Sequence, residues 1–146
     1  MKVLAFSIGP DRYGLRLGSI ARVLPVVELK QIPLAPPFVA GLMDLHGEPV
    51  PVIDLSRLAG FTPDAVWFDT RIVLVDYGPH QLGLLAEHVT GVETIDDAAL
   101  AGSGVDGAPF LGQVAPGAAG MLQLVEVEDL LAPDVRALLF PAGAPA

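Results

Sequence analysis

Cysteine is absent from the 146 residues, which excludes a disulfide framework, a thiolate nucleophile and any cysteine-ligated zinc site. Positive charge is scarce: 8 lysines and arginines stand against 17 aspartates and glutamates, a net charge of −9. Nucleic-acid binding needs a concentrated basic surface, and anionic lipid repels a surface of this sign. Neither nucleic acid nor direct membrane insertion is therefore expected. No uninterrupted apolar run approaches the ~20 residues that a membrane-spanning helix needs. The opening Lys2-Val3-Leu4-Ala5-Phe6 reads as strand and lacks the pattern of a secretory signal; with the missing cysteines, it makes the cytoplasm the expected location. Charged residues are only 17% of the chain and apolar ones 52%. Some apolar surface is thus expected outside the core, where large patches serve partner contact.

What the chain does have is a repeat. Gly9-Pro10-Asp11-Arg12-Tyr13-Gly14-Leu15 is matched without a gap by Gly78-Pro79-His80-Gln81-Leu82-Gly83-Leu84. Each run is a turn flanked by strands of the same parity: Leu4, Phe6 and Ile8 before the first, Val73, Val75 and Tyr77 before the second. On the return, Tyr13, Leu15 and Leu17 match Leu82, Leu84 and Ala86, and Ile20 and Val23 match Val89 and Val92. Repetition extends downstream, with 39–43 and 50–53 resembling 110–114 and 121–125. A fixed internal period is the signature of a duplicated unit. Units of about 70 residues are marginal on burial alone, so two packed intimately are expected.

Short alternating strands broken by glycine and proline indicate all-β architecture. Pro33, Pro36 and Pro37 form a linker that cannot be helix interior. Pro51, inside Val50-Pro51-Val52-Ile53, cannot donate to a ladder and implies an edge or a bulge. Asp54 before Leu55, Arg57 and Leu58 reads as the cap of one helical turn ended by Gly60. Pro133 followed by Val135, Leu138 and Leu139 predicts a short amphipathic helix. Residues 100–109 read as loop, and 141–146 as a disordered tail.

The segment Gly41-Leu42-Met43-Asp44-Leu45-His46-Gly47-Glu48-Pro49-Val50-Pro51-Val52-Ile53-Asp54-Leu55 resembles the central signature of the CheW-like family, adaptors of bacterial chemosensory systems. Ile20-Ala21-Arg22-Val23 sits where that family has an apolar residue followed by Glu-Ile, and Gly83-Leu84-Leu85-Ala86-Glu87-His88-Val89 resembles its later Gly-Leu-apolar-Val-Asp-x-Val element. The resemblance covers roughly 3–131. It implies two packed five-stranded SH3-like β-barrels, here placed at 1–62 and 70–140 with strands able to exchange between halves. It also implies a non-catalytic coupling protein without cofactor or metal. One barrel would dock on the regulatory domain of a sensor histidine kinase, and a groove near the barrel junction would receive the cytoplasmic hairpin tip of a chemoreceptor.

Partner-binding positions carried over in this way are Ile20, Arg22, Val23, Leu24, Leu42, Asp44, His46, Val89 and Val92. Three of them depart from the family pattern: Arg22 replaces an acid, Asp44 an asparagine, and His46 an arginine. Arginine is a permanent forked cation, whereas histidine is neutral for much of the physiological range. The polar code facing the receptor is thus rewritten, which points to a divergent receptor or kinase. Arg22 and Asp44 could pair with each other or with exchanged charges on the partner.

Other chemistry has simpler readings. Asp44 and His46, two apart on a predicted strand, would share one face, but no third ligand lies near for a metal or acid–base site. No serine sits in a nucleophile elbow, Gly102-Ser103-Gly104 lacks the lysine of a phosphate loop, and Glu126, Glu128 and Asp129 lack calcium-loop spacing and read as a solvated face. Trp67 and Phe68 suit either a partner anchor or a cover over the seam. The alternatives to a coupling adaptor are a competing adaptor that dampens the kinase, a small ligand-binding β-barrel with an apolar cavity, and, more distantly, a hydrolase.

Overall fold

A computed structural model describes residues 1–62, 69–102 and 108–141. Trp67, Phe68, Ser103 and the tail beyond Pro141 lie outside the described residues. The strands are β1 (Lys2–Ile8), β2 (Asp11–Arg16), β3 (Ile20–Pro25), β4 (Val39–Leu45), β5 (Glu48–Asp54), β6 (Arg71–Tyr77), β7 (His80–Thr94), β8 (Leu111–Gly117) and β9 (Gly120–Val125). Two short α-helices follow β5 and the last strand: α1 (Leu55–Leu58) and α2 (Pro133–Leu139).

Pairing produces two five-stranded, SH3-like sheets. One runs β7-β1-β2-β9-β8 and the other β3-β6-β7-β5-β4. The 15-residue β7 belongs to both, its first half pairing with β6 and its second with β1. Ser7 faces Glu87 while Ala5 faces Gly91; the two extra residues of β7 form a bulge in which His88 takes φ 50° and Gly91 φ 128°. A bulge bends its strand and sharpens its twist, and here it carries β7 from one sheet into the other.

The strands exchange reciprocally between the two copies of the repeat. The β1–β2 hairpin pairs in parallel with β9 (Gly14 opposite Leu124), and the β6–β7 hairpin pairs in parallel with β5 (Gly83 opposite Val52). Register is kept between copies. Pro25 faces Arg71 as Thr94 faces Lys2, and Val23 faces Val73 as Val92 faces Leu4. Phe38 and Phe110 each accept a backbone N–H, from Asp54 and Glu126, at 2.7 Å. The groups that pair therefore cross the sequence division between 1–62 and 70–140.

Alternation along each strand explains the three cores. Leu4, Phe6, Ile8, Tyr13 and Leu15, with Val73, Val75, Tyr77, Leu82 and Leu84, point into one shared central core. The opposite faces fill each barrel: Val3 and Ala5 with Leu122 and Leu124 in one, Ile72 and Leu74 with Met43, Val50 and Val52 in the other. Both faces of the central hairpins are buried, so their sequence reads as near-continuous apolar runs.

Local chemistry sets the ends. Asp54 caps α1, accepting from the N–H groups of Ser56 (3.0 Å) and Arg57 (3.3 Å), as the sequence predicts. Its counterpart Glu126 caps nothing. Glu126 Oε2 instead accepts from Arg16 Nη1 at 2.6 Å, and its carboxylate packs where a Cβ on Gly112 would collide at 2.5 Å. It is half-buried and not part of a solvated face; only Glu128 and Asp129 are exposed. Pro133 starts α2 at its first turn, with Val135 buried and Leu139 packed on the central core, but Leu138 faces outward. Pro51 is accommodated because the parallel pairing with β7 begins only at Val52.

Candidate functional interface

The predicted contact residues divide into three environments. Ile20 and Val89 are half-buried against the central core, and Leu24 packs on the core of the second barrel. Their first contribution is to packing. Val23 and Val92 are 43% and 54% exposed, although each lies opposite a buried residue of the neighbouring strand. They are related by the duplication, so the molecule displays one apolar side chain at the same place on each sheet. Val89 is held at the start of the β7 bulge, where its N–H donates to the Asp69 carbonyl at 3.0 Å and His88 Nδ1 lies 3.3 Å from Asp69 Oδ2.

Leu17 is a further exposed apolar residue, bordering a shallow depression with Met1, Lys2 and Arg16, and was not legible as such. The matched hairpins place it on the returning strand beside Leu15, but β2 ends at Arg16 and residues 17–19 form a 3-10 turn that leaves Leu17 38% exposed. Gly18 and Ser19, in the same turn, supply the signal, because a returning strand would not continue through them.

Asp44 and His46 do not share a strand face. β4 stops at Leu45, and His46-Gly47 is a two-residue turn with φ 51° and 90°. Positive φ at both central residues is the hairpin turn that matches strand twist, and histidine is among the non-glycine residues that tolerate it. Asp44 Oδ1 accepts from the Gly47 N–H at 2.8 Å, so one carboxylate oxygen fixes the turn while the residue stays exposed. Leu42 is half-buried and doubly bonded to Lys30 through backbone groups (2.9 and 2.7 Å). Arg22, exposed on β3, makes no ion pair with Asp44 among the described residues. β3 and β4 are the two ends of the second sheet's strand order.

Both barrel interiors are filled by side chains, and the larger hollows are open surface depressions. One, of about 590 Å³, lies between the β2–β3 connection, the β6–β7 turn and α2; a neighbour of about 560 Å³ reaches Leu42, and both border Pro79, His80 and Phe140. Among the described residues no helix is long and apolar enough to cross a membrane.

Comparison with known proteins agrees with this geometry. A family model described as CheW-like domain matches residues 2–134. The chemotaxis protein CheW of Klebsiella aerogenes is 28% identical over 93% of this chain and 84% of its own length. Protein FrzA of Myxococcus xanthus is 29% identical over 62% of this chain and 56% of its own. The crystal structure of the scaffolding protein TtCheW from Thermoanaerobacter tengcongensis superposes with a TM-score of 0.83 at 27% identity, over 92% of this chain and 89% of that one. With a model match spanning nearly all of its residues, the chain belongs to the CheW-like domain family.

Proposed function

We propose that this chain is a non-catalytic chemosensory adaptor that couples a chemoreceptor to a sensor histidine kinase. The observation that carries the reading is the pair of exposed, duplication-related valines, Val23 and Val92, on a scaffold of the CheW-like family. An isolated surface valine needs no explanation, but the same apolar exposure repeated at matched register on both sheets suits partner contact. The relatives named chemotaxis protein CheW and the scaffolding protein TtCheW support the same class.

The finer assignment follows. The kinase contributes its regulatory domain, which docks on one barrel, and the receptor's cytoplasmic hairpin tip lies against Val23, Val92 and Leu17, with Ile20, Leu24 and Val89 supporting from beneath. Arg22, Asp44, His46 and Leu42 set partner choice. The two barrels act as separate docking modules, and the adaptor works at receptor arrays in the cytoplasm. Pull-downs with the receptors and kinase encoded beside this chain test it. Retention of both supports the reading, and equal binding to an unrelated flagellar receptor contradicts the divergent specificity read from Arg22, Asp44 and His46.

A further inference from the structure

The 590 Å³ depression has a chemistry that the docking residues above do not use. Its wall is a stack of three rings: Phe140 lies 4.4 Å from His80 with planes 11° apart, and 5.9 Å from Tyr77 with planes 25° apart. Arg136, from α2, donates through Nε to the Tyr77 hydroxyl at 3.1 Å, and its guanidinium carbon sits 5.5 Å over the Tyr77 ring. The cation of the wall is therefore already engaged. Asp76 and Glu128, also in the wall, are exposed and form no ion pair among the described residues.

We infer that this depression is a docking pocket for an arginine side chain presented by a partner protein. Two unpaired carboxylates beside one tied guanidinium leave the pocket negative, and the chain as a whole carries −9, so a cationic group is favoured and steered towards it. Tyr77 is buried and already stacked with Phe140 and Arg136, so the exposed ring of His80 is the aromatic face left for a guest, and such a face selects among cations. A guanidinium is planar and weakly hydrated, stacks on aromatic faces and forks onto carboxylates, whereas an ammonium is a compact, strongly hydrated point charge. Arg136 is the internal precedent: the one guanidinium already present rests over Tyr77. The β2–β3 connection, the β6–β7 turn and α2 converge on the pocket, so the arginine would touch three elements at once. The inference is independent of the adaptor reading, since it rests on none of the nine contact positions.

The test uses the full chain and capped Gly-Arg-Gly, Gly-Lys-Gly and Gly-citrulline-Gly peptides, followed by NMR shifts of the His80 and Phe140 rings. The arginine peptide should give saturable shifts, bind at least about threefold more tightly than the lysine peptide and weaken with added salt. Citrulline, of the same shape without the charge, should give no saturable shift. The double variant Asp76→Asn with Glu128→Gln, both exposed and so expected to fold as the parent does, should lose most of the arginine response. Equal binding of arginine and citrulline, no preference over lysine, or an arginine response unchanged in the double variant would each overturn the inference.

Discussion

Gly14 and Gly83 hold the same place in the two copies of the repeat: each lies where a parallel strand from the other copy crosses its hairpin. A Cβ on Gly14 would come within 2.8 Å of Leu122 Cδ2 and 3.1 Å of Val3 Cγ2, and one on Gly83 within 2.9 Å of Val52 Cγ2 and 3.2 Å of Ile72 Cγ2. The collisions differ in kind. Val3 and Ile72 are the same β-branched neighbour in the two copies, so the difference lies in the nearest contact: Leu122 can swing the end of its side chain, whereas the β-branched Val52 has little rotamer freedom. Gly83→Ala is therefore expected to destabilise by about 2 kcal/mol and Gly14→Ala by about half of that, read from urea midpoints at constant slope.

Arg12 and Glu93 form a close ion pair between β2 and the end of β7, and Glu93 Oε1 also accepts from the Ala118 N–H at 3.2 Å. The duplication places Gln81 and Leu24 at the corresponding positions of the other copy, where neither is charged. Removing one partner from a largely buried pair strands the other charge, while replacing both is far better tolerated. Glu93→Leu alone should lose about 2 kcal/mol, and Arg12→Gln combined with Glu93→Leu should recover at least half of it. A double-mutant cycle on thermal or urea unfolding reads the coupling.

Asp54 combines a cap with a buried charge. Burial pushes its carboxyl above the usual aspartate range, outweighing the bonds from Arg57 and Ser56 and the charge of Arg57. A raised folded-state pKa means that the folded protein holds the proton more tightly than the unfolded chain. The stability from this group is then fully present below the ordinary aspartate pKa and is lost as pH rises through the folded value. Asp54→Asn, which keeps the acceptor and removes the charge, should be as stable as the parent or more so at neutral pH, and should flatten the acid side of the stability profile. Asp54→Ala loses the cap and should cost about 1 kcal/mol.

Much of this was legible in the sequence. The hairpin repeat identified both central β-units, because the turn chemistry and strand parity around Gly9-Pro10 and Gly78-Pro79 are local. Asp54 as a cap and Pro133 as a helix start are local as well. Exchange between the halves was expected from the family resemblance, but which strands exchange was not legible, since nothing near Gly14 names Leu124 as its neighbour; parallel partners are chosen by the whole core. His46 was misplaced because the alternating pattern continues through Leu45 into the turn, and only Gly47 marks positive φ. Glu126 was misread because its burial comes from Arg16 and Gly112, both distant in sequence. Nor did the spacing distinguish Val23 and Val92, which face outward, from Ile20 and Val89, which support the core.

Val23→Asp and Val92→Asp place a charge on exposed positions, where it is solvated and stability changes by about 0.5 kcal/mol or less. Each should nonetheless weaken partner retention about tenfold or more, whereas Val27→Asp, a change at another exposed valine, should leave it unaltered. Sedimentation with the neighbouring receptor's cytoplasmic fragment measures the difference. Because Arg22 and Asp44 form no ion pair with each other among the described residues, the double exchange Arg22→Glu with Asp44→Arg should not restore binding lost in the single variants unless the partner's facing charges are reversed too.

The most direct test of coupling is kinase autophosphorylation in a mixture of purified receptor fragment and kinase, with and without this chain. Coupling predicts that the receptor changes kinase activity only when the chain is present, and that the double variant Val23→Asp with Val92→Asp abolishes the effect while remaining folded. A kinase that responds to the receptor equally well without the chain, or one that the chain never links to it, would contradict the account.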